Sequence, residues 1–129
     1  MTQRAAFYPY EAAVTAYGNG GFRFADMSHK GSILCLPSGV YAWDVTSAED
    51  LTVDHFAQVL AELAPPAVLL LGTGAAQVFM TASITKAFAD AGIGLECMST
   101  GAAARTYNIL LAEKRKVAAA LIAVATAAG

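Results

Sequence analysis

The stretch AVLLLGTG, residues 67–74, decides the fold. Its first five residues are apolar with no alternation, which is typical of a strand covered on both faces. Gly72 and Gly74 follow and allow the chain to turn sharply. We therefore expect a buried strand here, followed by a turn at the edge of a sheet.

Helical patterns flank this strand. Residues 53–64 predict a helix that Thr52 caps and the prolines at 65–66 end. One apolar stripe runs along it, made of Phe56, Val59, Leu60 and Leu63. A second helix is predicted at residues 82–91, with Thr81 or Ser83 as its cap and Gly92 as its end.

A second apolar strand is predicted at residues 93–98, and a third helix at residues 101–114 with Thr100 as its cap. This alternation of strand and helix implies right-handed crossovers and a parallel pair of strands. Residues 117–124 fit a strand or a helix. We predict a strand, because a helix has just ended at the charged turn before them.

The first half of the chain has a different pattern. YGNGGFRF, residues 17–24, has the glycine density of a tight turn that leads into a strand at 22–25. Strands are also predicted at 32–36 and 40–45, joined by a hairpin at Pro37, Ser38 and Gly39. The predicted fold class is α/β: one domain over residues 1–129, with a mixed sheet, a β-rich N-terminal half and a β-α-β C-terminal half.

Composition limits the function classes. The 129 residues are 57% hydrophobic and 14% charged, with a net charge of −2. This charge argues against a nucleic-acid partner, since phosphate binding needs a basic stripe. No apolar run approaches the roughly 20 residues that span a membrane. Cys35 and Cys97 are expected to be reduced thiols of a cytoplasmic protein, and the low charge leaves a homo-oligomer open.

Candidate ligand-binding residues lie where the two C-terminal strands end. Gly72, Thr73 and Gly74 follow the first strand, and Thr100 and Gly101 follow the second. The carboxyl ends of parallel strands share an edge where α/β folds bind ligands, and helix N-termini there offer N–H groups to an anion. Alternatively, the glycines only permit the turns. No nucleotide fingerprint or metal-ligand spacing occurs, so no cofactor or metal is predicted.

Arg105 and Asn108 complete the candidate site. A cation near a helix N-terminus opposes the helix dipole, so a negative group is expected beside Arg105. Glu96 or Asp44 could supply it, or a bound small anion. Asn108 is expected on the same side of the helix, bonded to a neighbouring loop such as the GTG turn.

Catalytic residues stay unassigned. Neither His29 nor His55 has an obvious nucleophile or acid near it in sequence. Cys97 lies two residues before the candidate site, where a nucleophile is one alternative, but a strand residue that points into the core is favoured.

Four segments, in order, carry a family resemblance: YGNGGFRF, GSILCLPSGVYAW, LLLGTG and GIGLECMSTGAAARTYNILLAEKRKVAAALI. Over residues 17–122 the chain resembles a domain-of-unknown-function family that includes the mitochondrial respiratory complex I assembly factor 3 and the adipogenesis-associated domain protein. The resemblance implies a three-layer β+α/β fold on a mixed central sheet, with the last strand antiparallel to most of the others. The family-typical positions matched are Gly72, Thr73, Gly74, Glu96, Thr100, Arg105, Thr106, Tyr107 and Asn108.

The resemblance also implies a role. The mitochondrial branch helps to assemble complex I through protein contacts, and no enzymatic activity is established for bacterial members. A non-enzymatic binding or assembly module is therefore the favoured hypothesis, with a membrane-complex subunit or the assembly machinery as its partner. Family members often carry an acidic residue where this chain has Ser99 and a cysteine where it has Ala104, so no thiol or acid–base mechanism is expected there. The alternative is a small-anion or metabolite binder, or an enzyme, that uses the crevice at the two glycine turns.

Overall fold

Eight strands and three helices form the part of the chain that this computed structural model describes, residues 7–126. The strands are β1 (Val14–Gly18), β2 (Gly21–Phe24), β3 (Met27–Lys30), β4 (Ser32–Leu36), β5 (Gly39–Trp43), β6 (Val68–Gly72), β7 (Gly94–Met98) and β8 (Val117–Leu121). The helices are α1 (Ala57–Leu60), α2 (Ala82–Ala91) and α3 (Thr100–Ala112), with 3₁₀ turns at Ala48–Asp50 and Val53–Phe56.

The strands form two sheets, an antiparallel one in the order β1-β2-β3 and a mixed one in the order β5-β4-β8-β6-β7. The predicted parallel pair is confirmed: β6 pairs with β7, with Gly72 opposite Met98. The strand predicted at 117–124 is confirmed as β8, which ends at Leu121. The mixed α/β class is confirmed as well.

One expectation about strand direction is wrong. β8 is parallel to β6 and antiparallel to β4, so β4 alone opposes the other four strands of its sheet. The reason is the connection between β7 and β8. Because α3 carries the chain back along the sheet before β8 begins, β8 runs in the same direction as β7.

The three inner strands of the mixed sheet, β4, β8 and β6, are buried on both faces, which produces three layers. Helices α1 and α2, with the 3₁₀ turn before α1, cover one face through Phe56, Val59, Ile84 and Phe88. Helix α3 and the three-stranded sheet cover the other through Tyr107, Phe22 and Phe24. Between them, all five residues of the central strand β8 are buried, and three of these are alanine. Such small side chains let both outer layers pack closely against the sheet.

Helix α2 has the predicted bounds: it begins after Thr81 and ends at Gly92, which is left-handed with φ of 72°. The helix predicted at 53–64 is shorter than expected, since it consists of a 3₁₀ turn and one α-helical turn that end at Leu60. Leu63 is fully exposed and does not join the apolar stripe.

Glu62, two residues beyond the end of this helix, is hydrogen-bonded to a neighbouring turn. The backbone N–H and the hydroxyl of Ser38 donate hydrogen bonds to the Glu62 carboxylate at 2.8 and 3.0 Å. These bonds attach residue 62 to the turn between β4 and β5.

Candidate functional site

The two glycine turns meet at one edge of the mixed sheet, as predicted. The N–H of Thr73 donates to the carbonyl of Met98 at 2.9 Å, and the N–H of Thr100 donates to the carbonyl of Gly74 at 2.8 Å. The turns after β6 and β7 are thus hydrogen-bonded to each other.

Thr100 links these turns to β8. Its fully buried hydroxyl donates to the carbonyl of Ile122 at 2.7 Å and accepts from the N–H of Gly74 at 3.0 Å. The prediction that Thr100 caps the helix is therefore wrong. The N-cap is Ser99, whose hydroxyl accepts from the N–H of Ala102 at 3.4 Å. Thr100 is instead the first residue of α3, and its side chain lies between Gly74 after β6 and Ile122 after β8.

The glycines of the first turn have structural roles. A Cβ atom on Gly72 would lie 2.8 Å from the Cα of Thr100, so only glycine allows the turns to approach this closely. Gly74 has a φ of 107°, a conformation that L side chains rarely adopt. Both observations agree with the alternative that these glycines permit the turns.

The loop after the first turn is fixed by hydrogen bonds. The Thr73 hydroxyl donates to the carbonyl of Ala76 at 2.6 Å and accepts from the N–H of Val78 at 3.0 Å. The amide of Gln77 donates to the carbonyl of Cys97 on β7 at 2.7 Å. Because it holds the main chain at both ends of this segment, the network gives the loop a defined conformation.

Phe79 projects from this loop. Its side chain is 79% exposed, whereas those of Val78 and Met80 on either side pack against the core. Sequence reasoning missed this residue. The signal available was the apolar run VFM outside any predicted element, in which the middle residue of an extended chain must face away from its neighbours.

Arg105 lies in α3, and its side chain borders the first glycine turn. Its exposed side chain lines a recess of about 60 Å³ together with Tyr17, Gly74, Ala75, Ser99, Gly101, Val124 and Thr126. Among residues 7–126, no carboxylate forms an ion pair with Arg105, so the internal partner expected for this cation is not found there.

Gly101 shapes the same recess. A Cβ atom on Gly101 would overlap the hydroxyl of Tyr17 and would lie 2.9 Å from the ring carbon that bears it. The same atom would lie 3.5 Å from a guanidinium nitrogen of Arg105. The absence of a side chain here allows β1 to pack against the start of α3.

Asn108 does not bond to the GTG turn. Its Oδ1 accepts from the N–H of Val14 at 2.8 Å, and its Nδ2 donates to the carbonyl of Val14 at 2.7 Å. The correction follows from helix geometry: three residues advance about 300° around an α-helix, so Asn108 is turned about 60° from Arg105 and faces β1. Asn108 holds the three-stranded sheet on α3 and lies outside the recess.

Burial disfavours the thiolate form of both cysteines. Burial raises the pKa of Cys35 to about 12, and burial is also the main cause of the raised pKa of the half-buried Cys97. Both thiols are free. In residues 7–126 no cluster of three His, Cys, Asp or Glu side chains could hold a metal ion. No helix in that part of the chain has the length and apolarity to cross a bilayer.

Comparison with known proteins identifies a family to which the chain is similar. A profile of the family described as proteins of unknown function, DUF498/DUF598, matches residues 14–122. The chain belongs to this family. It is 35% identical over 109 residues to an uncharacterized Rhodobacter capsulatus protein, covering 84% of this chain and 82% of that one.

Other relatives of the family are named for a role. NADH dehydrogenase [ubiquinone] 1 alpha subcomplex assembly factor 3 of Danio rerio is 32% identical over 109 residues, which are 84% of this chain and 63% of the relative. The chain therefore spans less than two thirds of the assembly factor's length.

Solved structures share the fold. A Bartonella henselae protein described as an outer membrane protein is 49% identical, with a TM-score of 0.86 and coverage of 91% of this chain and 98% of that one. A Rhodopseudomonas palustris protein is 42% identical, with a TM-score of 0.80 and coverage of 96% and 93%. A Bordetella pertussis protein described as an Mth938-like domain is 30% identical, with a TM-score of 0.74 and coverage of 95% and 90%.

Proposed function

We propose that the protein is a non-enzymatic binding module that helps to assemble a membrane-bound respiratory complex by contacting a protein partner. The similarity to assembly factors named for NADH dehydrogenase supports this role. The single observation that carries it is Phe79, an aromatic side chain 79% exposed on a loop that hydrogen bonds hold in one conformation.

An aromatic residue presented in this way suits a protein contact. Burying a phenylalanine side chain stabilises a complex by about 1.5–3 kcal/mol, and aromatic residues are enriched at the centres of interfaces. A loop that is already ordered loses little conformational entropy on binding. The bonds of Thr73 and Gln77 therefore favour association through Phe79.

The polar groups at the strand ends support a binding role over catalysis. The hydroxyls of Thr73 and Thr100 are engaged in hydrogen bonds within the fold. The proposed site of action is the cytoplasm, which fits the free thiols of Cys35 and Cys97. The proposed partner is a subunit of the complex or another part of its assembly machinery.

A genetic experiment tests this role. In a strain that lacks the gene, the NADH–quinone oxidoreductase activity of the membranes is measured after complementation with wild type, Phe79→Ser or Leu63→Ser. Leu63 is a matched control, since it is also apolar and is fully exposed on a different loop. We expect rescue by wild type and Leu63→Ser, and loss of most of the rescue with Phe79→Ser at equal protein level.

Normal activity in the deletion strain would refute the assembly role. Full rescue by Phe79→Ser would refute the role of this side chain. Size-exclusion chromatography of the two variants shows whether Phe79 instead joins two copies of the chain, since a homo-oligomer held by Phe79 dissociates only in Phe79→Ser.

A second candidate function is small-anion binding at Arg105. One observation favours it: the guanidinium has no carboxylate partner among residues 7–126 and borders the recess at the start of α3. A volume of about 60 Å³ corresponds to about two water molecules, so the recess suits a single carboxylate or phosphate group.

Thermal unfolding in phosphate, sulfate and acetate tests this candidate. Anion binding predicts a rise in Tm with anion concentration for wild type and for Arg115→Gln, but not for Arg105→Gln. Arg115 is a suitable control, because it is an exposed arginine that lies beyond the C-terminal end of α3. An identical anion response in all three proteins would rule out the site.

A further inference from the structure

The three-stranded sheet turns one face away from the core. Strand pairing places Arg23 beside Ala16 and Ser28, and Gly21 beside Gly18 and Lys30. These six residues form what we call the outer face. The side chains of Ala16, Arg23, Ser28 and Lys30 are all exposed, whereas Phe22 and Phe24 on the opposite face are buried.

The outer face contains a depression. It has a volume of about 300 Å³ and is lined by all six residues of the outer face. Two glycines, Gly18 and Gly21, lie in its floor. A Cβ atom on Gly21 would collide with the carbonyl of His29, so the pairing of β2 with β3 requires a glycine at this position. A floor without side chains allows the main chain of a ligand to approach closely.

The charge of this face is positive. None of the three strands contains Asp or Glu, although the chain has ten of them against eight Lys and Arg. Neither Arg23 nor Lys30 forms an ion pair with a carboxylate in the described part of the chain. The carboxylate nearest to them in sequence, Asp26, lies in the turn between β2 and β3, at the opposite end of the hairpin from Lys30.

The spacing of the two cations selects a ligand geometry. Arg23 and Lys30 are diagonal neighbours on adjacent antiparallel strands, a relation that separates Cβ atoms by about 7 Å. An extended peptide advances about 3.3 Å per residue, so its side chains at positions i and i+2 share one face about 7 Å apart. Two carboxylates at such positions can each meet one of the cations.

We propose that the outer face binds an extended acidic segment of a partner protein, in which Asp or Glu residues at i and i+2 pair with Arg23 and Lys30. This assignment rests on the proposed function, because it names the chemistry of the partner. It concerns a different surface from that of Phe79, so each can be tested without the other.

Fluorescence anisotropy with labelled synthetic peptides provides the test. The probe is a ten-residue peptide with glutamate at every second position and serine between. The comparison peptides carry glutamine in place of glutamate, or glutamate at every third position. We expect the peptide with glutamate at every second position to bind most tightly. Its affinity should fall as the salt concentration rises from about 20 to about 150 mM, since salt screens exposed charges.

Two double variants of the whole protein locate the binding. Arg23→Gln with Lys30→Gln should lower the affinity for the alternating peptide about five- to tenfold, in line with the loss of two exposed ion pairs. Arg115→Gln with Lys116→Gln removes the same charge from another surface and should change the affinity less than about twofold. Circular dichroism confirms that both variants are folded.

Four results would overturn the inference: no binding of the alternating peptide, equal binding of the glutamine peptide, equal binding of the every-third-position peptide, or equal loss in both double variants. Binding of anionic phospholipid vesicles without binding of the peptide would assign the face to a lipid surface instead. Failure of the proposed function is read separately, as normal NADH–quinone oxidoreductase activity in the deletion strain. If wild-type protein does not bind the alternating peptide but the deletion strain has low activity, only this inference is overturned.

Discussion

Replacing Thr100 by valine tests whether one hydroxyl joins three parts of the site. Valine keeps the branched shape of threonine but cannot donate to the carbonyl of Ile122 or accept from the N–H of Gly74. The carbonyl of Ile122 lies in a residue only 2% exposed, so water cannot replace the lost donor. Gly74 is partly exposed, so its N–H can recover part of its hydrogen bonding from solvent.

The expected loss follows from these contacts. Each hydrogen bond contributes about 0.5–1.5 kcal/mol, and a buried polar group left without a partner costs about 1–3 kcal/mol. With one buried and one partly exposed group, we expect Thr100→Val to lower the free energy of unfolding by about 2–3 kcal/mol. For 129 residues the entropy of unfolding is about 270 cal/mol/K, so Tm should fall by about 7–11 °C.

Urea unfolding followed by circular dichroism measures this loss, with Thr85→Val as the matched control. The Thr85 hydroxyl also donates to a carbonyl, that of Thr81 at 3.0 Å, but it is exposed on α2. Its replacement should change the free energy of unfolding by less than about 0.5 kcal/mol. If the two variants differ by less than about 0.5 kcal/mol, Thr100 does not link the turns to β8 in the way described.

Three further predictions concern buried groups. Tyr107→Phe should raise the free energy of unfolding or leave it unchanged in urea titrations, because the buried hydroxyl has no hydrogen-bond partner among the described residues. Gly101→Ala should lower Tm by the equivalent of about 1–3 kcal/mol, because the new methyl group overlaps Tyr17. Folding holds the pKa of Cys35 above that of an exposed thiol, so urea titrations at several pH values should show stability falling as pH rises from about 9 toward about 12, and falling less in Cys35→Ala.

Each of these predictions has its own control or contrary result. A loss above about 1 kcal/mol in Tyr107→Phe would show that the hydroxyl has a partner. Gly94→Ala is the control for Gly101→Ala, since its methyl group meets only ordinary contacts of 3.5 Å or more. For Cys35, parallel pH profiles of wild type and Cys35→Ala would show that this thiol does not contribute to the loss of stability at high pH.

The central strands of the mixed sheet could be predicted, because strands buried on both faces are continuous apolar runs in the sequence. β6 and β8 are flanked by strands and covered by helices, so their residues are uniformly apolar and small or branched. Helix α2 was equally accessible, since its cap and its terminal glycine are local signals. These elements needed no knowledge of distant contacts.

The three-stranded sheet was mostly missed for a local reason. Only β2 overlaps a predicted strand, while β1 and β3 are half-exposed and carry mixed polar residues. The turn between β2 and β3 contains Ala25 and Asp26, both with positive φ. Alanine is not a residue that marks such a turn, so the usual hairpin signal is absent.

One part of the candidate site could be predicted from local patterns, and another part could not. The meeting of the two glycine turns follows from parallel strands alone, and it was predicted. The partners of Thr100 and Asn108 depend on residues 22 and 94 positions away. Helical periodicity shows which way a side chain points but not what lies opposite it, so the helix cap and the contact of Asn108 were predicted wrongly.

The position of β8 has a consequence for biosynthesis. This strand lies between β4 and β6 but follows both in the chain, so a ribosome makes the two outer parts of the sheet before the strand that joins them. Until β8 emerges, one edge of β4 and one edge of β6 have no neighbour, and each can pair with another chain. A nascent chain that stalls before residue 117 therefore exposes two unpaired strand edges that favour aggregation. Once β8 has been made, it pairs with both edges, which then lie in the centre of the sheet.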